Sequence, residues 1–305
     1  MVTRSALLFL SRQQWLRRWA ERSPAAAQAV RRFVAGSTLD DAISVCRRLA
    51  AEGTLATLDR LGENVTTIAQ AEESLAKSLQ ALDRLEAEGL HQATISIKLT
   101  QFGLDLSESD CHRLVSTLVS AARRTDRRVE IDMESTAYTD RTLRLVRDLN
   151  AEFGNVRAVI QAYLFRSEAD IDELSQKRIS VRLCKGAYLE PSEVAFRDKA
   201  DVDANYRRLM KRLFECGVQP AIASHDESIL RDAMKLVEEQ GIEAKDFEFQ
   251  MLYGIRRDLQ SELVRRGFRL RLYVPYGEAW YPYFMRRLAE RPANVWFVLK
   301  NLGRA

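Results

Sequence analysis

Val129-Glu130-Ile131-Asp132-Met133-Glu134 sets an apolar and an acidic residue at alternate positions along its whole length. A period of two belongs to a β-strand, whose successive side chains leave on opposite faces. This strand therefore has one apolar face and one acidic face. The same division recurs elsewhere: Ile95, Ile97 and Leu99 alternate with Ser96 and Lys98, Val181 and Leu183 flank Arg182, Phe247 and Phe249 flank Glu248, and Leu270 and Leu272 flank Arg271.

Working outward, eight runs rich in β-branched or aromatic residues start near Thr54, Ala93, Arg128, Arg157, Ile179, Pro220, Phe247 and Phe268. Segments of helical period separate them. Leu75, Leu79, Leu82 and Leu85 make one stripe between Ala71 and Glu88, and Leu114, Val115 and Leu118 make another between Cys111 and Arg123. Strands alternating with helices build a parallel sheet, and eight such repeats close into a (β/α)8 barrel. The count of eight and the absence of a Gly-rich first turn both weigh against an open doubly wound sheet.

The chain of 305 residues has no Pro, Gly or Ser-rich linker, so one barrel domain over 1–305 is expected, with an N-terminal helical arm over 1–50 and the barrel with its closing helix over 51–305. Cys46, Cys111, Cys184 and Cys216 stand singly, without the CxxC pairs of zinc or redox motifs, and fit a reducing cytoplasm. The apolar run Ala6 to Leu10 is too short for a signal peptide or a membrane span. From Trp15 to Arg32, tryptophans among arginines fit either helices packed on the domain or a basic arm touching anionic lipid at the inner face of the membrane. A net charge of +4 from 47 basic and 43 acidic residues is too balanced and dispersed to imply nucleic acid as a partner.

With the apolar faces toward the helices, Lys98, Glu130, Asp132, Arg182, Glu248 and Arg271 point into the barrel, where Val, Ile and Leu are the usual filling. Buried charges persist when paired and hydrogen-bonded. Glu130, Glu248 and Arg271 lie early or midway in their strands and read as an internal ion-pair network that serves stability. Lys98, Asp132, Gln161, Arg182, His225 and Leu252 fall at strand C-terminal ends, the face where barrel enzymes carry their chemistry.

Absences narrow that chemistry. HExxH, GxSxG, GxGxxG, a Walker loop and a close pair among His91, His112 and His225 are all missing, which argues against metal and serine catalysis. Arg182-Leu183-Cys184-Lys185-Gly186-Ala187-Tyr188 runs from a strand into a long loop, where Gly186 allows close backbone approach and two cations could meet a pyrophosphate, or simply be solvated. In the last helix Tyr283, Arg286, Arg287 and Glu290 share roughly one face by their spacing. Two adjacent arginines there can fork around a carboxylate, or stabilise a helix C-terminus.

Together and in this order, Ile95 to Leu99, Glu130 to Glu134, Val159-Ile160-Gln161-Ala162-Tyr163, Arg182 to Tyr188, Phe247-Glu248-Phe249-Gln250 and Tyr283 to Pro292 resemble the proline dehydrogenases, over about Arg31 to Leu302. The resemblance implies a distorted (β/α)8 TIM barrel that binds FAD noncovalently. It also implies oxidation of L-proline to Δ1-pyrroline-5-carboxylate by hydride transfer to flavin N5, with electrons passed to a membrane quinone. Carried over residue by residue, Lys98, Arg286 and Arg287 hold the proline carboxylate, while Leu252, Tyr273 and Tyr283 wall the ring. Asp132 and Arg182 form the central pair. Met133, Gln161, Arg182, Lys185, Gly186, Ala187, Ser224 and His225 bind FAD. Cys184 and Ser224 depart mildly from the family pattern, and Cys184 reads as a packed side chain rather than a redox thiol. No aldehyde dehydrogenase half follows the closing helix, so a separate pyrroline-5-carboxylate dehydrogenase is expected downstream.

On the residues alone, two other classes stay open. Lys98 or Lys185 could form a Schiff base in an aldolase-like barrel, and the fold could serve a non-catalytic binding protein.

Overall fold

A computed structural model describes residues 30–290, with side chains as far as Met285. α1 (Leu39–Ala51) leads into β1 (Leu55–Arg60), α2 (Ile68–Ala87), β2 (Thr94–Ile97), α3 (Glu108–Arg124), β3 (Val129–Ile131), α4 (Thr139–Phe153) and β4 (Val156–Gln161). There follow α5 (Ser167–Gln176), β5 (Ser180–Cys184), α6 (Lys199–Cys216), β6 (Ala221–Ala223), α7 (Glu227–Gln240), β7 (Glu248–Leu252), α8 (Arg257–Arg265), β8 (Leu270–Tyr276) and α9 (Trp280–Glu290). Thr38, Thr67, Ser107 and Asp226 stop the preceding loops because each side chain accepts a backbone N–H two or three residues on, supplying an acceptor that the first helical turn lacks.

The strands close in sequence order, all parallel, and each begins within two residues of its expected start. One expectation needs correction. The alternation read as running to Leu99 ends at Ile97, and Leu99–Phe102 turns as a 310 helix. The cause is a competing set of partners: the Thr100 N–H and hydroxyl donate to Glu134, at 3.1 and 2.7 Å, instead of extending the ladder.

Outward-facing Ile95, Ile97, Val129, Ile131, Val181, Leu183, Phe249, Leu270 and Leu272 form one buried cluster with the inner faces of the helices. Phe249 packs edge-on to Phe247 and Phe268, which fills the layer under α8 and β8 without rings lying face to face. None of the described helices is long and apolar enough to cross a membrane.

Inside the barrel the charges interlock. Arg271 meets both oxygens of Glu248, at 2.9 and 3.1 Å, and its third nitrogen donates to the carbonyls of Ala56 and Gln92. Arg157 donates to the same Glu248, to Glu130 at 3.4 Å and to the Ser180 hydroxyl at 2.9 Å. Gln250 bridges Glu248 and Glu130. Room for these long side chains comes from β6, where Ala221 stands in register with both Arg182 and Glu248. The expectation that Glu130, Glu248 and Arg271 make an internal network is met. Arg157, absent from the inward set read from the sequence, is a full member and is 2 % exposed.

Removing one partner of such a network strands a buried charge, which typically costs about 3–5 kcal/mol. Arg157→Met is therefore expected to lower the urea midpoint of unfolding by that equivalent, with the slope unchanged. A midpoint within error of the parent protein would show that Glu130 and Glu248 do not depend on Arg157.

Candidate active site

Above this floor, at the C-terminal ends of the strands, Asp132 collects four donors. It accepts hydrogen bonds from the Ser96 hydroxyl and the Tyr273 phenol, both at 2.6 Å, from Lys98 Nζ at 3.1 Å, and from Arg182. Arg182 is shared: its other terminal nitrogen donates to Glu130 at 2.9 Å, and its guanidinium lies 5.3 Å from the centre of the Tyr273 ring. Lys98 Nζ also donates to Asp59 at 3.2 Å and to the Tyr273 oxygen at 3.3 Å. Lys98, Asp132, Arg182 and Tyr273, singled out on four separate strands or strand ends, thus meet at one place.

The electrostatics follow from that packing. Burial pushes Asp132 toward the neutral form, but Lys98 and Arg182 outweigh it and hold the carboxyl below the ordinary aspartate range. Burial likewise opposes the charges of Lys98 and Arg182, and the surrounding carboxylates, Asp59 for the first and Asp132 for the second, carry both above their ordinary values. Burial keeps the Tyr273 phenol protonated well above its usual range, with Asp132 and Asp59 adding to the effect. Tyr273 is therefore a donor to Asp132 at any physiological pH.

The surrounding loops are tied to this centre. Gln161 donates to the Glu134 carbonyl at 2.9 Å, which links the end of β4 to the turn after β3. Gly186 sits at φ +114°, with any added Cβ 2.3 Å from the Tyr163 ring, so the loop leaving β5 can lie down only on glycine. Lys185 donates to Asp203 and, at 2.9 Å, to Asp226, which itself caps α7. Ser224 accepts from the Asp226 N–H at 3.1 Å. The Leu252 N–H donates to His225 Nε2 at 2.8 Å, so a neutral His225 carries its proton on Nδ1.

Other expected residues spread around this rim. Leu252 and Tyr283 share a second apolar cluster with Val30, Phe33, Leu61 and Ile255, which joins α9 to the segment before α1. Met133 packs in the main core, and Ala187 is exposed. Arg286 and Arg287 lie on α9, and their side chains, with that of Glu290, fall outside the described residues. Residues 1–29, with most of the basic arm, fall outside them too. Burial pushes the half-buried Cys184 thiol up to about 11, in keeping with a packed side chain.

Sequence reasoning missed Asp59, Ser96, Glu134 and Gln250 as parts of the site. For Asp59 a signal existed, because Thr57 and Asp59 alternate with Ala56 and Leu58 in the first run. Lys98 donates to Asp59, Asp132 and Tyr273, so an incoming carboxylate would share its ammonium with these partners.

These residues suit a flavin dinucleotide in chemical kind. Lys185 offers positive charge beside a glycine that lets the backbone approach closely, Ser224 and His225 offer polar contacts, and Leu252 and Tyr273 offer apolar and aromatic surface. Gly186→Ala combines a left-handed backbone with a ring clash. It is expected to cost about 1–3 kcal/mol of stability, read as a lower melting temperature. An unchanged melting temperature would show that the loop accepts a side chain.

The sequence matches the family described as Proline dehydrogenase over residues 42–300. Proline dehydrogenase 1 of Bacillus subtilis subsp. natto is 42 % identical over 304 residues, 99 % of both chains. Proline dehydrogenase of Deinococcus radiodurans is 40 % identical over 280 residues, 89 % of each. Among solved structures, proline utilization A from Bdellovibrio bacteriovorus, inactivated by N-propargylglycine, superposes with a TM-score of 0.81 at 26 % identity, covering 87 % of this chain and 33 % of that longer one. A full-length match above 40 % identity, on a barrel with this charged mouth, has one reading: the chain belongs to the proline dehydrogenase family, whose members are oxidoreductases.

Proposed function

We propose that this protein oxidises L-proline to Δ1-pyrroline-5-carboxylate with a noncovalently bound FAD. The observation that carries the reading is the convergence of Lys98, Asp132, Arg182 and Tyr273 at the mouth of a barrel of this family. When bound, FAD supplies the acceptor for the hydride that leaves ring carbon C5. Met133, Gln161, Arg182, Lys185, Gly186, Ala187, Ser224 and His225 are the residues of this chain that would hold it.

The protein's own work is positioning and charge. Lys98 reaches the mouth from β2 while Arg286 and Arg287 come from α9, so a carboxylate held among them is fixed from two sides. Leu252, Tyr273 and Tyr283 then give the pyrrolidine ring an apolar wall. The ring nitrogen must be neutral before its lone pair can assist departure of hydride. Cations around the carboxylate disfavour a further positive charge beside them. Because Asp59 and Asp132 already balance Lys98, that influence falls chiefly to the two arginines. Electrons pass onward to a quinone acceptor.

An imine-forming role fits less well. Schiff-base chemistry needs a neutral amine, whereas Lys98 is held as an ammonium by two carboxylates and Lys185 is paired with Asp203 and Asp226.

Anaerobic titration of the purified, FAD-loaded protein with L-proline is expected to bleach the flavin absorbance, and a spectrum indifferent to proline would reject the assignment. Arg286→Met and Arg287→Met are each expected to weaken proline binding by about 2–5 kcal/mol, seen mainly in KM. Unchanged saturation in both variants would remove the arginines from the site.

A further inference from the structure

Asp59 differs from the other carboxylates inside the barrel. Glu130, Glu248 and Asp132 each meet two or more cations, whereas among the described residues Asp59 meets one, Lys98. That contact uses Oδ1. Oδ2 is buried and has no hydrogen-bond partner among the described residues. The two side chains also differ in access: Lys98 is 12 % exposed at the mouth and Asp59 behind it only 1 %. A carboxylate ligand can therefore reach the ammonium but not the aspartate.

A ligand carboxylate that engages Lys98 must compete with the acceptors already there. Asp132 loses little, because Arg182, Ser96 and Tyr273 still donate to it. Among the described residues Asp59 has no second cation to fall back on, and a buried carboxylate without a counter-ion is driven to the neutral form. We propose that Asp59 is a positioning residue that holds Lys98 while the site is free of ligand and takes up one proton when a ligand carboxylate claims that ammonium. Lys98 keeps its own proton throughout; the proton gained by Asp59 comes from solvent, and no other bond changes. This deepens the reading of the site as one for proline, and rests on it.

The groups facing Asp59 support the assignment. Asp59 lies above the ordinary aspartate range: burial presses it toward protonation, Lys98 from the end of β2 and the Tyr273 phenol oppose this, and Asp132 after β3 adds repulsion. Tyr273 and Tyr276 on β8 are themselves held protonated, and α1, packed outside β1, turns only apolar side chains and the Cys46 thiol inward. Drawing Lys98 toward a ligand thus weakens the one cation among the described residues that favours the ionised form of Asp59. The sign follows: binding that takes up a proton tightens as pH falls, and Kd rises about tenfold per pH unit wherever free Asp59 is charged and bound Asp59 is not.

The test uses tetrahydrofuran-2-carboxylate, which keeps the ring and carboxylate of proline but has no nitrogen to titrate. Calorimetry on the full-length FAD-loaded protein, in buffers of different ionisation enthalpy, is expected to count about one proton taken up per ligand. Asp59→Asn is expected to abolish the uptake, flatten the pH dependence and bind more tightly than the parent at alkaline pH. Lys98→Met is expected to lose the uptake as well, together with affinity. Zero uptake by the unmodified protein overturns the proposal without any variant. Undiminished uptake in Asp59→Asn also overturns it and moves the proton elsewhere, Glu134 being the nearest other carboxyl with a raised pKa. Reduction by proline without proton uptake rejects Asp59 alone. Uptake in a protein that proline does not reduce rejects the substrate and leaves the coupling standing.

Discussion

The guanidinium of Arg182 joins two halves of this barrel that would otherwise be separate. One nitrogen holds Glu130, which belongs to the charged floor with Arg157, Arg271 and Glu248; another holds Asp132, which belongs to the mouth. Among the described residues the ion pairs inside the barrel join four carboxylates, Asp59, Asp132, Glu130 and Glu248, to four cations, Lys98, Arg157, Arg182 and Arg271. Equal numbers make so polar an interior tolerable. Each ion is held by neighbours of opposite sign, where a lone charge would be forced to neutralise. The barrel therefore keeps charged groups ionised out of water, poised at the face where a substrate enters.

That continuity changes how the floor should be regarded. Glu130 was assigned by strand position to stability, yet it is a direct partner of Arg182 and so helps set where the mouth's guanidinium points. Gln250 acts in the same way, accepting from Arg182 at 3.4 Å while donating to Glu130 and Glu248. A division into a structural bottom and a functional top does not hold here, because a polar interior transmits position from layer to layer. Above the mouth, the apolar cluster of Val30, Phe33, Val34, Tyr281, Phe284 and Met285 holds the segment before α1 against α9. The helix that carries Arg286 and Arg287 is thus anchored by contacts from the far end of the described chain.

Much of this was legible beforehand for a physical reason. A strand covered on one face writes its burial pattern into the sequence with a period of two, and Val129 to Ile131, Ile95 to Ile97 and Val181 to Leu183 all kept the faces their alternation implied. Lys98, Asp132, Arg182 and Tyr273 were identifiable as site residues because the alternation and strand ends, together with the family resemblance, pointed to the same places. Arg157 and Asp59 were harder. Arg157 opens its run, where a charge reads as solvated, and Asp59 precedes Arg60 at a strand end, where a polar pair looks like a turn.

The chain's order of residues, then, was enough to establish eight strands, their inward and outward faces, the membership of the family and most of the groups at the mouth, since each of these depends on local periodicity or on motifs a few residues long. Tertiary structure alone decided which charge meets which. That Lys98 is balanced by Asp59, that Arg182 divides itself between Glu130 and Asp132, and that Gly186 lies under the Tyr163 ring depend on strands closing around a common axis. Such pairings join residues far apart in the chain, 141 positions for Tyr273 and Asp132 and 175 for Lys98 and Tyr273, and no periodicity within a segment records them.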